Sequence, residues 1–189
     1  MPKRQPALPS LGLVSDARND ARLERVLARL PRNSGLIFRH YHLAPDERRR
    51  RIKQLALIAG RCGHTVVLSG PVRLARSWGA AGAYGPPAIL ARGGAALRLV
   101  TAHSLREIAQ ARRVRADAIV LAPVFPTASH PGREPRGALR FRLLAVRSGV
   151  PVLALGGMTA RRARSLGGAK WAAIDGLSDK ATRRIPKDS

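Results

Sequence analysis

The sequence predicts an α/β fold: a compact (β/α)8 TIM barrel with some shortened helices. Three observations lead there. Short apolar runs alternate with helix-length amphipathic runs along the chain, the signature of a parallel sheet. Eight strands can be counted, which favours a closed barrel over an open doubly wound sheet. The chain has 189 residues, short for a barrel that typically needs about 250. Some helices must therefore be trimmed, and the Pro- and Gly-bearing stretch 86–94 is where the loss is expected.

The elements follow in order. Residues 11–15 (L-G-L-V-S) read as the first strand. Residues 20–30 read as a helix, with Leu23, Val26, Leu27 and Leu30 at i, i+3, i+4 and i+7. The second strand is 35–38. A helix over 46–60 is opened by Pro45-Asp46 and ended by Gly60, with Ile52, Leu55, Ala56 and Ala59 facing inward. The third strand, 65–68, ends at Ser69-Gly70, and a short helix spans 72–78. A weak fourth strand, 82–84, is stopped by Pro86-Pro87, leaving one helical turn over 88–92. The fifth strand is 97–100, and the helix 104–113 carries a capping box, Ser104-x-x-Glu107. Strand six is 118–121, followed by a helix over 139–148. Strand seven is 152–155, followed by a helix over 159–166. Strand eight is 171–174. One domain over 1–189 is expected, frayed at 1–9 and 179–189.

Composition narrows the function classes. Hydrophobic residues make up 45%, as in a globular domain rather than a disordered one. No apolar run reaches the roughly 20 residues of a membrane span. The first ten residues are basic and lack the apolar centre of a signal peptide, so a cytoplasmic location is expected. The single cysteine, Cys62, excludes a disulfide framework and reads as a small buried residue. No Cys/His cluster has zinc spacing. The net charge of +24 attracts polyanions. Yet Arg outnumbers Lys heavily, is spread over every predicted helix, and accompanies much Ala and Gly, as in the product of a GC-rich genome. Aromatics are only 4%, which leaves few stacking platforms for nucleic acid. Specific nucleic-acid binding is therefore not expected.

A barrel keeps its chemistry in the loops at the C-terminal ends of its strands. After strand six comes P-V-F-P-T-A-S-H-P-G (123–132). Thr127 and Ser129 offer hydroxyls, and His130 and Arg133 offer positive charge, a set suited to a phosphate or diphosphate. After strand seven, Gly156-Gly157-Met158-Thr159 opens a helix and lets backbone approach an anion. Asp175-Gly176 follows strand eight. Barrels commonly bind a ligand phosphate at these last two loops. Arg39, at the end of strand two, is placed to hold a phosphate in a fork. His103, after strand five, is a candidate donor or acid. An ordinary solvated loop remains the alternative for each of these taken alone.

Together these segments resemble the thiamine phosphate synthase family and its TenI-like relatives, in order and over nearly the whole chain. L-G-L-V-S-D (11–16) matches the family's opening strand. I-F-R-H-Y (37–41) falls on Q-x-R-E-K, and L-V-T-A-H-S (99–104) on G-V-S-x-H. A-D-A-I-V-L-A-P-V-F-P-T-A-S-H (116–130) falls on the family's A-D-Y…G-P-V-F-P-T-x-S/T-K. P-V-L-A-L-G-G-M-T (151–159) falls on P-V-x-A-I-G-G-I. The resemblance implies a transferase that joins hydroxymethylpyrimidine diphosphate to thiazole phosphate, giving thiamine phosphate and pyrophosphate. It implies that Arg39, Thr127 and Ser129 contact the pyrophosphate side. Gly156, Gly157, Asp175 and Gly176 would line the thiazole phosphate, and His103 and His130 would join Arg39 and Ser129 as catalytic candidates.

The departures from the family are specific. Its Gln and first Lys are Ile37 and Tyr41 here, and its second Lys is His130. The Asn-Asp that helps hold magnesium is Ser69-Gly70, and a further acidic segment is Pro86-Pro87. Mg2+ is the family's expected cofactor, but its ligands are unmatched. Asp16, Glu134 and Asp175 are the carboxylates expected near the top loops. The residue that is histidine in the TenI-like proteins is Pro123. Two alternatives stay open: a catalytically degenerate phosphate-ligand-binding or regulatory barrel, and a TenI-like thiazole tautomerase relative. The expected partner is a phosphorylated small molecule (thiazole phosphate, pyrimidine diphosphate or thiamine phosphate), with no specific nucleic acid and no membrane. A homo-oligomer is left open.

Overall fold

The computed structural model describes residues 8–127, 132 and 134–177. Eight parallel strands close on themselves in sequence order. They are β1 (Leu11–Val14), β2 (Gly35–Phe38), β3 (Thr65–Ser69), β4 (Gly82–Gly85), β5 (Leu97–Ala102), β6 (Ala118–Leu121), β7 (Val152–Ala154) and β8 (Trp171–Ala173). Closure is made where Leu11, Gly12 and Leu13 of β1 pair with Trp171, Ala172 and Ala173 of β8. The expected barrel is therefore the observed one.

The strands divide their side chains between two apolar clusters, as alternation along a pleated strand requires. Val14, Ile37, Val67, Leu97, Leu99, Ala118, Val120, Leu153 and Ala172 fill the barrel interior. The neighbouring residues Leu13, Leu36, Phe38, Val66, Leu68, Val100, Ile119 and Leu121 point outward and pack beneath the helices. On α2 (Pro45–Arg61), Ile52, Leu55 and Ala59 are buried, so the inner face falls where the 3.6-residue period puts it.

The trimming falls at the expected places and at one more. The segment after β4 is a single turn, α4 (Pro87–Leu90), and the helix expected to be short, α3 (Val72–Ser77), has six residues; α7 (Ala160–Ser165) is also only six residues long. The longer helices are α2, α5 (Leu105–Arg113) and α6 (Gly137–Val146).

The first helix departs from its expected form. A 3-10 segment, Ala17–Arg22, comes first and α1 (Leu23–Leu27) follows it. The cause is a capping box whose N-cap, Asp16, lies four residues before the expected start. The Asp16 carboxylate accepts from the Arg18 N–H at 3.2 Å, and the Asp16 N–H donates to Asn19 Oδ1 at 2.9 Å. The Asn19 amide also donates to the carbonyls of Val14 and Ile174 at 3.0 and 3.1 Å, tying the ends of β1 and β8 together. The expected Ser104–Glu107 box is half made. Ser104 Oγ accepts from the Glu107 N–H at 3.2 Å, but the Glu107 carboxylate takes the His103 N–H instead of that of Ser104.

Two smaller expectations are corrected. Leu8 and Pro9 do not fray: Leu8 packs against the barrel interior and Pro9 is buried against Gly35. Cys62 follows α2 as its cap residue and is half-buried, between exposed Arg61 and Gly63. No helix among the described residues is long and apolar enough to cross a membrane.

Candidate functional site

The C-terminal mouth of the barrel encloses a cavity of about 250 Å3. Arg39 after β2, Tyr84 of β4, Ala122 after β6 and Ile174 after β8 all line it, so each even-numbered strand contributes at least one wall residue. Thr101 of β5 and Leu155 after β7 complete the deeper wall. This is the stacked, alternate-strand filling of a (β/α)8 interior, left open at its top.

Arg39 is half-buried, and its guanidinium has no hydrogen bond or ion pair within the protein among the described residues. It lies 5.7 Å from the centre of the Tyr41 ring. The backbone of Arg39 is gripped from both sides. Its N–H donates to Ser15 Oγ at 2.8 Å, and its carbonyl accepts from Arg48 Nε at 2.9 Å. Arg48 reaches on to the Ser69 carbonyl at 2.7 Å. The Tyr41 hydroxyl meets the Ser69 hydroxyl, so the ends of β2 and β3 are sewn together.

On the neighbouring side of the mouth, after β1 and β8, Arg18 bridges two carboxylates: Asp16 at 2.9 Å and Asp175 at 3.2 Å. Burial pushes the Asp16 carboxyl up, but the Arg18 hydrogen bonds and the charges of Arg18 and Arg39 outweigh it and hold it below its ordinary value. Arg18 thus ties the ends of β1 and β8 together through the two carboxylates. Tyr84 shows the opposite effect: burial raises its phenol to about 12, with Arg39 pulling weakly the other way. Its hydroxyl stays protonated and is a donor at neutral pH.

His103 lines the cavity, and its Nδ1 lies 2.7 Å from the Ala122 carbonyl. A carbonyl only accepts, so Nδ1 carries the proton and Nε2 of the neutral ring is an acceptor. Arg136 clasps the same corner, donating to the His103 carbonyl at 2.7 Å and to the Ala122 carbonyl at 3.3 Å.

Thr127 lines the cavity, whereas Ser129 and His130 lie outside the described residues. Gly156, Gly157, Asp175 and Gly176 all line it. The glycines also have a second purpose that the sequence reading missed. A β-carbon on Gly157 would come 2.3 Å from the Pro126 carbonyl oxygen, and one on Gly156 would come 2.7 Å from Pro123. These loops pack backbone to backbone, with Phe125 N–H donating to the Gly156 carbonyl at 3.1 Å. The amides of Gly156 and Gly157 have no protein acceptor among the described residues. Helix α7 begins only at Ala160 and is too short for a strong dipole, so an anion here would rely on loop amides rather than on a helix terminus.

Mg2+ takes oxygen ligands, normally with at least one carboxylate. The ends of β3 and β4 bring Ser69, Gly70, Pro86 and Pro87. Among the described residues no three His, Cys, Asp or Glu side chains converge. The residues at the ends of β3 and β4 offer no carboxylate, so that part of the mouth does not fit the ion.

The comparison with known proteins agrees with this architecture. The family model described as thiamine monophosphate synthase matches residues 11–177. The chain belongs to the thiamine monophosphate synthase family. Within it, a curated protein of Aquifex aeolicus (strain VF5), "Putative thiamine-phosphate synthase 2", is 41% identical over 59 residues; this covers 31% of the present chain and 32% of that protein. Thiamine phosphate pyrophosphorylase from Pyrococcus furiosus has the same fold, with a TM-score of 0.74 at 22% identity over 91% of each chain. The pyrophosphorylase from Bacteroides thetaiotaomicron gives 0.60 at 14% identity, covering 88% of this chain and 82% of that one.

The cavity brings together Arg39, His103, Thr127, Gly156, Gly157, Asp175 and Gly176. Sequence reasoning missed Tyr84 and Thr101 as wall residues and saw Tyr41 only as a departure from the family. The signal for Tyr84 was available, since it lies two residues after Gly82 on the inward face of its strand. Arg48 left no such signal, because it reaches the mouth from a helix on the outer ring.

Proposed function

We propose that the chain is a divergent thiamine phosphate synthase-like transferase. It takes hydroxymethylpyrimidine diphosphate and thiazole phosphate at the barrel mouth and joins them, releasing pyrophosphate. The observation that carries this reading is Arg39, a half-buried residue lining the cavity whose guanidinium has no hydrogen bond or ion pair among the described residues, with Thr127 and Gly156-Gly157 lining the same cavity.

In the reaction, the bond from the pyrimidine's methylene carbon to the diphosphate oxygen breaks, and its electron pair leaves on pyrophosphate. The thiazole nitrogen's lone pair then closes a carbon–nitrogen bond onto the resulting carbocation. No proton has to move. The protein's share is to hold two rings in line and to neutralise charge growing on the leaving group. Arg39 supplies that charge, with Thr127 and Ser129 as hydroxyl partners. The loops at Gly156, Gly157 and Gly176 receive the thiazole phosphate, beside Asp175. Tyr84 and His103 face the rings from the wall. No step runs through magnesium. Phosphorylated ligands of this kind support a cytoplasmic location.

A second reading is favoured by one observation: Ser69, Gly70, Pro86 and Pro87 stand where the family's magnesium-binding residues are expected. On that reading the cavity binds a phosphorylated thiamine precursor without coupling it. Incubation of the purified protein with both phosphorylated halves, with and without magnesium, separates the two. Thiamine phosphate formed equally with and without the ion supports the synthase. Measurable binding of thiazole phosphate without product replaces it with the binding protein. Product that requires magnesium would show that the mouth holds the ion after all.

A further inference from the structure

A buried chain of hydrogen bonds ends on the backbone of Arg39. Ser15 and His40 are both buried, and the His40 side chain is wholly shielded from solvent. His40 Nε2 lies 2.8 Å from Asp20 Oδ1, and His40 Nδ1 lies 2.8 Å from Ser15 Oγ. Ser15 Oγ also receives the Arg39 N–H at 2.8 Å. Asp20 is fixed in turn by Arg51, whose Nε donates to it at 2.8 Å and whose Nη2 donates to its carbonyl at 3.0 Å.

The protons of this chain have one consistent direction. The Asp20 carboxylate only accepts, so His40 Nε2 carries the proton. Nδ1 of the neutral ring is then an acceptor, and the Ser15 hydroxyl donates to it. That leaves a Ser15 lone pair for the Arg39 N–H. His40 itself sits at φ +36°, a left-handed conformation that a non-glycine residue holds only when its surroundings fix it. Its ring stacks on Phe38 with centroids 4.7 Å apart.

The set resembles a serine–histidine–aspartate nucleophile, but its placement argues otherwise. Ser15 has no exposed surface and does not line the cavity, and its oxygen is already engaged by Arg39. No substrate carbon reaches it.

We propose that Asp20, His40 and Ser15 are positioning residues: they lock the backbone of Arg39 so that its guanidinium is aimed at an anion in the cavity. The inference rests on the reading of Arg39 as the anion-binding cation, and not on whether coupling occurs. Arg39 follows the end of β2, where ladder bonding stops. Without the chain its N–H would have no strand partner, and the long side chain would sample several directions. Pre-fixing it removes that cost from ligand binding.

The test uses inorganic pyrophosphate, titrated by calorimetry at physiological ionic strength so that the general field of the charge is screened. Arg39→Ala should weaken binding at least about tenfold, as for loss of a charge-assisted contact. Ser15→Ala should weaken it about three- to tenfold, the worth of one hydrogen bond. His40→Asn should do the same; Asn tolerates the left-handed backbone but is too short to span Asp20 and Ser15. In both variants amide exchange at Arg39 should speed up while that at Ile37 and Phe38 stays slow, a local signature that general destabilisation would not produce. The proposal is overturned if folded Ser15→Ala and His40→Asn bind pyrophosphate like the parent. It also fails if exchange rises evenly along β2, or if Arg39→Ala or the parent shows no Arg39-dependent binding. Coupling activity is scored separately, so the synthase reading survives or falls on its own product.

Discussion

Gly176 lies so close to Met158 that a β-carbon on the glycine would stand 1.9 Å from the methionine's carbonyl oxygen. The loops after β7 and β8 therefore touch through bare backbone, and both line the cavity. Replacing Gly176 by Ala must push the two loops apart. The expected cost is about 1–3 kcal/mol of stability, the usual range for forced overpacking. Ligand affinity should fall as well, because the displaced loops carry Gly157 and Asp175. A denaturant titration paired with binding of thiazole phosphate would read both. An unfolding midpoint equal to that of the parent would show that the loops give way freely.

Gly60 predicts the opposite outcome. It sits near the end of α2 with a right-handed backbone, and a β-carbon there would meet nothing within 4 Å. Gly60→Ala should stabilise the protein by about 0.4–1 kcal/mol, mainly by restricting the unfolded chain. The substitution is remote from the cavity, so ligand affinity should not change. A lowered unfolding midpoint would mean that the helix end needs glycine for a reason other than space.

Arg48 predicts a difference between two cations. Its guanidinium donates to the carbonyls of Arg39 and Ser69 while lying 5.1–5.9 Å from the ring centres of Tyr41, Trp78 and Phe38. A planar fork satisfies two carbonyls and stacks on rings at once, and an ammonium group does not. Arg48→Met leaves both carbonyls short of a donor and should cost about 1–3 kcal/mol. Arg48→Lys should recover less than half of that loss. Full rescue by Lys, measured by thermal or denaturant unfolding, would reduce the interaction to simple charge.

The barrel was legible because its evidence is local. Inward and outward residues alternate in every strand, as at Leu36, Ile37 and Phe38, and the strand limits fall within a residue or two of the expected ones. The start of the first helix was misplaced because Asp16 and Asn19 read as a loop until their reciprocal bonds are seen. For the site, the strand-end residues Arg39 and His103 and the three cavity glycines were legible, because a barrel's mouth has a known address in the sequence. Tyr84 hid within an apparently weak strand. Arg48 and the Ser15–His40–Asp20 chain were not legible at all, since they depend on contacts between elements 9 to 25 residues apart. Backbone clamping of this kind has no motif.

Acid sensitivity follows from the two buried histidines. His64 Nε2 donates to the Leu27 carbonyl at 3.0 Å, while its Nδ1 is buried without a partner among the described residues. Burial pushes the His64 pKa down, helped by Arg32 and opposed by the Leu27 carbonyl. Burial also pushes His40 down, against the pull of Asp20. Each ring in the folded protein therefore takes up its proton at lower pH than in the unfolded chain, where the value is about 6.5. The unfolded state binds more protons below that pH, so this stability is fully present above about pH 6.5 and drains away as pH falls through the folded values. Asp16, Asp20 and Glu24 are all held below their ordinary values, so their contribution is lost mainly below pH 5 and adds only slightly to the fall in that window. The urea midpoint should accordingly fall between pH 7 and pH 5. His64→Phe removes one titrating ring and should flatten that fall, whatever it does to the midpoint at pH 7. Equal slopes for parent and variant would rule out His64 as a source of the acid sensitivity.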